Sequence, residues 1–276
     1  MNSPLQKRPT IGVSLIAHNE SAMIEGALAS ASFADRIVLV DCASTDDTIA
    51  IAAKNPHVTI VSRPNNPNLN VNKSFGFEQL DTDWIFYLDP DERIPPICAA
   101  EIRAAVEANQ HGNTHATHNA FRLPRLNHFF GHPLRHGGQY PDRQLRLFKR
   151  GKARFPNRHV HESLEVDGTI GTLSQPFEHH PYPTISTYLR KMDFYTSFQA
   201  DFWKNDGVSP GTISAARFFF TRPMSRFLRR FLFKGGFRDG WAGFIAAAGD
   251  AFQILISYAK LIELSESKSP AKEKAS

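Results

Sequence analysis

Three carboxylates, Asp89, Asp91 and Glu92, fall within four residues in the stretch DWIFYLDPDERIPP, residues 83–96. Carboxylates packed this closely repel one another and add little to a fold unless a cation lies between them. Asp89 and Asp91, one residue apart on a turn after an apolar run, suit a hard divalent cation. Mg2+ or Mn2+ would keep part of its water there and bridge phosphate oxygens. An ion held this way stabilises the negative charge that develops as a diphosphate departs. A D-x-D pair alone is a weak motif, so its meaning rests on the elements that place it.

Those elements alternate. Apolar runs at 11–17 (IGVSLIA), 36–41 (RIVLVD), 58–62 (VTIVS) and 83–89 (DWIFYLD) are separated by segments expected to be helical at 20–31, 45–54 and roughly 70–80. Short β-branched strands with helices between them predict βαβ units and a parallel sheet covered on both faces, an α/β fold. In such sheets ligands bind beyond the carboxyl ends of the strands. Polar residues gather at those ends: His18-Asn19-Glu20 after the first run, Asp41 closing the second, and the carboxylate cluster after the fourth. A plainer explanation exists for some of them, since Asn19, Ser44 or Thr45 can cap a helix with acids in its first turn. The middle, 111–180, is rich in Gly, Pro and His with extended runs such as AFRLPRL (120–126), and is expected to complete the sheet and wall a cleft.

With 276 residues, 41% of them hydrophobic and 21% charged, the chain is long enough for one large α/β domain with a smaller appendage. Its two cysteines, Cys42 and Cys98, lie far apart without metal-ligand spacing, which argues against a disulfide scaffold or zinc module and for the reducing cytosol. The first apolar run follows Lys7 and Arg8 but is too short for a signal-peptide core and lacks a cleavage site, so a buried strand is expected.

The net charge of +5 is concentrated: between Arg217 and Arg238 lie seven basic residues and no acid, interleaved with seven phenylalanines. Something anionic is expected near them. From Thr184 the pattern is helical, and from Trp241 the apolar positions Phe244, Ile245, Ala248, Phe252, Leu255, Ile256 and Ala259 recur at helical spacing. Residues 240–259 approach the ~20 of a membrane span, but their Gly, Ala and Asp content favours an amphipathic helix resting on anionic lipid. The alternative is that the stripe packs on the rest of the protein and the basic run is a solvated face. No nucleic-acid module accompanies the basic segment, so nucleic acid is not an expected partner.

Taken together, VSLIAHNE (13–20), VLVDCASTDDT (38–48) and NKSFGFEQLDTDWIFYLDPDER (72–93) resemble the nucleotide-sugar-binding half of the inverting family 2 glycosyltransferases, which have the GT-A fold. Within that family they resemble the lipopolysaccharide core β-glucosyltransferase branch, whose members carry an LDADE like the LDPDE here. YPDRQLRLFKRG (140–151) and VHE (160–162) extend the resemblance, and RFLRRFLFKGGFRDGWAGF (226–244) does so more loosely. The implied organisation is a GT-A domain over 1–182, a helical, membrane-associating region over 183–264 and a disordered tail over 265–276.

The resemblance implies a nucleotide-sugar donor, a UDP-hexose, with Ala17, His18, Asn19 and Glu20 lining the nucleoside pocket and Asp41 on the base. Lys73 falls near the donor, Asp89 faces ribose or the metal, and Asp91 ligates the metal beneath the diphosphate. An inverting displacement needs a general base for the acceptor hydroxyl. Asp142 corresponds to the family's aspartate, with Glu162 as its competitor. Gln144 and Arg146 are placed to approach the acceptor or the diphosphate, an internal salt bridge being the plainer reading of Arg146. His161, on the same side of a strand as His159, is a candidate metal ligand. The departures are Ala43 in place of the Gly of D-x-G-S-T-D, Pro90 in place of Ala, and Pro141 in place of a Glu. The implied acceptor is a lipid-linked saccharide such as lipopolysaccharide core, reached by peripheral contact with the cytoplasmic face of the inner membrane. A soluble glycan or peptide acceptor, and a non-catalytic membrane-surface module of the same fold, are the competing expectations.

Overall fold

All seven residues of Ile11–Ala17 are buried, as a strand with helices on both of its faces requires. This is strand β1 of a computed structural model that describes residues 8–110, 117–156 and 162–266. The alternation continues with α1 (Ile24–Ser30), β2 (Arg36–Asp41), α2 (Thr48–Ala52), β3 (Val58–Ser62), α3 (Leu69–Glu78), β4 (Trp84–Leu88), β5 (Glu92–Arg93) and α4 (Pro96–Gln110). Then come β6 (Ala120–Phe129), β7 (His132–Pro133), β8 (Asp142–Lys149), β9 (Ala153–Arg154), β10 (Glu165–Val166), β11 (Ile170–Thr172) and β12 (Phe177–Tyr182). Four helices close the described chain: α5 (Ile185–Asn205), α6 (Thr212–Ala216), α7 (Arg222–Leu228) and α8 (Gly240–Glu266). The tail expected to be disordered lies largely outside the described residues.

The chain divides into two compact units, one running to Arg125 and resuming over Asp142–His179, the other made of Leu126–Pro141 and the chain from His180 onward. In the first unit β3, β2, β1 and β4 pair in that order, all parallel. β8 then lies antiparallel to β4, and β6 antiparallel to β8. Because β8 runs the other way, its first residues sit where β4 ends. Asp142, Gln144 and Arg146 therefore reach the same edge as the carboxylates that follow β4. β5 pairs antiparallel with β12, His179 opposite Glu92.

Alternation along the parallel strands builds two cores. Val13, Leu15, Leu39, Phe86 and Leu88 pack with Ile24, Leu28, Cys98, Ile102 and Val106 on one side, while Ile16, Val38, Val40 and Ile85 meet Phe77, Leu80 and Phe148 on the other. Both cysteines are buried free thiols. The first two helices begin three or four residues later than their patterns suggest, at Ile24 and Thr48 rather than near 20 and 45. The skipped residues make other hydrogen bonds, described below.

The second unit is organised around α8. With the single 3-10 turn before it, Gly236–Glu266, it is long and apolar enough by length and composition to cross a membrane. Its small-residue face, Ala242, Gly243, Ala246, Ala247, Gly249 and Ala251, is nevertheless buried, with α5 and α7 packed alongside. A Cβ built on Gly249 would lie 1.7 Å from the Tyr188 hydroxyl of α5, so only glycine permits this approach. Arg230 pairs with Asp250 of α8. Two π-helical turns, Arg217–Thr221 and Arg229–Phe233, bracket α7.

Candidate active site

The loops after β1 and β2 are knitted together by side chains that a helix-cap reading would assign elsewhere. Asn19 adopts a left-handed backbone, φ 57°, which asparagine tolerates better than most residues. Its Oδ1 accepts from the Thr45 amide at 2.7 Å, and its own amide donates to the Ser44 hydroxyl at 3.0 Å. The Glu20 amide donates to Thr48 Oγ1 at 2.8 Å and the Ser21 amide to Asp46 Oδ2 at 3.0 Å. Hydrogen bonds from Thr48, foremost, hold the Asp46 carboxyl well below the usual carboxylate range. These bonds explain the late starts of α1 and α2. Ala43 takes φ 58°, so it keeps the glycine conformation of the D-x-G-S-T-D pattern.

Ala17 and Asp41 are register partners at the ends of β1 and β2. Asp41 is 1% exposed; its Oδ2 accepts from the Ser44 amide at 3.3 Å, and its buried Oδ1 has no partner among the described residues. A carboxylate oxygen left this way is costly unless a ligand donor meets it. An N–H group of a nucleobase is a donor of the right kind. His18 lies beside it with Nδ1 2.7 Å from the Cys42 carbonyl oxygen. The carbonyl can only accept, so Nδ1 is the donor in this bond.

Beyond β4 the three carboxylates do different things. Asp89 is held by two cations, Lys73 Nζ at 3.0 Å and Arg146 Nη2 at 3.1 Å. Burial alone would raise its pKa, but Lys73 and Arg146 outweigh that and hold the carboxyl well below its usual value. Glu92 is fully buried and turns underneath: its Oε1 lies 2.5 Å from Arg146 Nη2, and its Oε2 accepts from the Asp89 amide at 3.0 Å. Burial pushes its pKa up to about 7, with the charges of Asp89 and Asp91 adding to the rise and Arg146 opposing it. The Arg146 guanidinium also lies over the Tyr87 ring, 4.3 Å from its centre, and its buried Nε has no partner among the described residues. Arg146 therefore makes the internal ion pairs that its plainer reading predicted, and makes them to the site carboxylates.

Asp91 lies with an oxygen 3.5 Å from His179 Nε2. A carboxylate oxygen and an imidazole nitrogen this close, on a turn and the facing strand, are a donor pair that a divalent cation accepts, its other positions left to water and phosphate oxygens. By that chemistry the residues present fit a metal. Asp91 and His179 would hold it, while Asp89 stands against Lys73 and Arg146. His161 lies outside the described residues.

On the acceptor side Asp142 opens β8 opposite Arg125 of β6. Arg125 donates to Asp142 Oδ2 twice, from Nε at 2.9 Å and Nη2 at 2.6 Å, and Gln144 Nε2 donates to Oδ1 at 2.7 Å. Glu162 is half-buried on the irregular segment leading to β10. The structure thus gathers Lys73, Asp89, Glu92 and Arg146 into one contact network, pairs Asp91 with His179, and holds Asp142 in a separate clamp. Arg125 enters as a site residue that motif spacing did not mark, and Glu92, marked with the cluster, is the one of the three carboxylates that is fully buried.

The profile of Glycosyl transferase family 2 matches residues 13–162, more than half of the chain. The chain belongs to this family. It is a nucleotide-sugar-dependent, inverting glycosyltransferase of α/β GT-A fold with long C-terminal helices. Among relatives of this glycosyltransferase, the lipopolysaccharide core biosynthesis glycosyltransferase LpsC of Rhizobium meliloti is 26% identical over 258 residues, 90% of each chain. An uncharacterized glycosyltransferase of Rickettsia bellii is 29% identical over 273 residues, 95% of this chain and 89% of the relative. The mannosyltransferase PcManGT of Pyrobaculum calidifontis, solved in complex with GDP-Man and Mn2+, is 14% identical with a TM-score of 0.47, covering 96% of this chain and 77% of that one.

Proposed function

We propose that this glycosyltransferase moves a hexose from a UDP-sugar, with a divalent cation bound, onto a lipid-linked saccharide of the lipopolysaccharide-core type, as a peripheral protein on the cytoplasmic face of the inner membrane. The observation that carries the donor half is the division of roles at the strand ends. Asp41 offers a buried, unsatisfied acceptor, Lys73 and Arg146 gather positive charge on Asp89, and Asp91 faces His179. The acceptor half is supported by likeness to LpsC along 90% of both chains. Membrane contact is supported by exposed Phe220, Phe233 and Phe237 within the basic run.

A divalent cation at Asp91 and His179 would draw off negative charge developing on the departing diphosphate. Asp142 takes the proton of the acceptor hydroxyl as that oxygen bonds to the anomeric carbon. The bond to the diphosphate breaks with its electron pair, and configuration inverts. Arg125 occupies Oδ2 with two N–H groups and Gln144 occupies one position on Oδ1. Oδ1 thereby keeps an acceptor position for the hydroxyl proton, in a carboxylate held by three hydrogen bonds.

The test is thermal stabilisation by UDP- and GDP-sugars with and without Mg2+ or Mn2+, followed by transfer to lipopolysaccharide core acceptors. A UDP-hexose should stabilise the protein only with metal, by roughly 2.7 kcal/mol at about 100 times its dissociation constant, and Asp91→Asn should remove the effect. Asp142→Asn should keep the stabilisation and lose transfer by about 10²–10⁴-fold. Stabilisation by GDP-sugars alone would sink the UDP assignment, and near-normal transfer by Asp142→Asn would shift the base to Glu162.

A further inference from the structure

Arg93 directly follows the three carboxylates, and its side-chain hydrogen bonds go to backbone. Nη1 donates to the Pro90 carbonyl at 2.8 Å and to the Glu92 carbonyl at 2.6 Å, and Nη2 donates to the Met23 carbonyl at 2.9 Å. Pro90 and Glu92 stand on either side of Asp91 in the chain, so one guanidinium grips the backbone that flanks the metal-facing carboxylate. Met23 belongs to another element. It immediately precedes α1, and its amide and that of Ile24 both donate to the Glu20 carbonyl at 2.9 Å. The bond that the Met23 carbonyl accepts from the Ala27 amide is long, at 3.4 Å, and correspondingly weak. Arg93 therefore ties the turn after β4 to the loop after β1 through a carbonyl that α1 itself uses poorly.

The helix leaves room for this side chain. A Cβ built on Gly26 of α1 would lie 2.5 Å from Arg93 Nε, so glycine stands at a helix position where alanine is the better helix former. Burial disfavours the charge of the half-buried guanidinium, and Asp91 and then Glu178 offset part of that penalty. A cation beside Asp91 also repels the divalent ion that Asp91 would hold. On electrostatic grounds alone a neutral residue would suit the metal better. A planar fork, however, reaches acceptors on two elements at once, which the point charge of a lysine ammonium does not.

We infer that Arg93 is a positioning residue for the metal: its guanidinium fastens the turn Asp89–Asp91 to the start of α1 and so fixes the backbone from which Asp91 reaches the ion. This rests on the reading of Asp91 and His179 as the metal's protein ligands, and adds to it the residue that holds one of them in place.

The experiment is Mn2+ binding to the full chain, followed by electron paramagnetic resonance of the free ion, in wild type and in the variants R93Q, R93K, G26A and D91N. Positioning and charge predict opposite signs. An arginine acting only through its charge would leave R93Q binding Mn2+ more tightly than wild type and R93K binding it equally well. Positioning predicts that both variants lose affinity by about tenfold, as changes behind a metal ligand do. Should the Arg93 variants fold poorly, Gly26→Ala keeps the arginine and its charge, displaces the guanidinium, and should lower the affinity by a similar factor. Wild-type affinity in all three, with binding abolished in Asp91→Asn, would overturn the positioning role and leave the metal site standing. Tighter binding by R93Q would assign Arg93 a purely electrostatic effect and overturn it equally. No Mn2+ binding by wild type, or unaltered binding by Asp91→Asn, would overturn the metal reading itself and this inference with it.

Discussion

Replacing Arg146 by Met keeps most of the side chain's apolar stem and removes the charge on which Asp89 and Glu92 converge. Arg146 is 3% exposed and Glu92 fully buried, so the change leaves a buried carboxylate without its cation. Breaking a buried pair from one side costs about 3–5 kcal/mol. At roughly 2–4 °C per kcal/mol for a domain of 150–250 residues, melting should fall by about 6–20 °C. The loss should depend on pH. Glu92 already binds its proton more tightly in the folded state, near 7 against 4.5 for the free side chain. Its stabilising contribution is therefore present below the unfolded value and lost as pH rises through the folded one. Without Arg146 the folded value rises further, so at about pH 6 the variant holds a neutral Glu92, while at about pH 8 more of the penalty appears. The gap between wild type and Arg146→Met should widen over that interval by on the order of 1 kcal/mol or more. Adding Glu92→Gln should narrow it again, because the amide oxygen can still accept from the Asp89 amide and no charge is stranded. Thermal melts of the three proteins at the two pH values decide the matter. A loss below about 1 kcal/mol, or one that ignores pH, would refute the claim that Arg146 neutralises Glu92.

Two further changes probe backbone and packing. Ala43→Gly should relieve the left-handed strain at φ 58° and stabilise the protein by about 1 kcal/mol, net of the extra freedom glycine gains when unfolded; a lower melting temperature would show that the Ala43 methyl packs instead. Gly249→Ala should destabilise the second unit by about 1–3 kcal/mol through the Tyr188 hydroxyl, and Tyr188→Phe in the same chain should return part of it. An unchanged melt for Gly249→Ala would mean that α5 and α8 are not in close contact in solution.

The parallel strands were legible because their apolar runs are short, β-branched and followed by helical periodicity. The position of Asp89 and Asp91 beyond β4 came from the same pattern. Their separate roles did not. Asp91 is the last residue of the turn and Glu92 the first of β5, and which of them is buried depends on β5 pairing with β12, a partner some 85 residues away that spacing does not announce. Arg125 was hidden for the same reason, since it meets its carboxylate only through an antiparallel register, and that His179 rather than another histidine faces Asp91 follows from the β5–β12 pairing. Asp46 was visible in CASTDDT, yet its hydrogen bond from the Ser21 amide joins two loops that no local rule connects. The exposed aromatic stripe of Phe194, Phe198 and Phe202 on α5 could have been found from its spacing of four, which marks one helix face. Its exposure could not, because an aromatic stripe at that period more often packs inward.

Residues 126–141 belong to the second unit although the sequence of the first unit surrounds them. Phe129 and Leu134 from this excursion share a core with Tyr188, Met192, Ala242 and Ala246. No single cut of the polypeptide can therefore release the sugar-nucleotide half as a self-contained piece. A fragment ending after Tyr182 would carry Phe129 and Leu134 stripped of the helices that cover them and would tend to aggregate. The two halves must instead be inherited, expressed and evolved as one reading frame, and an insertion harmless to one can unseat the other.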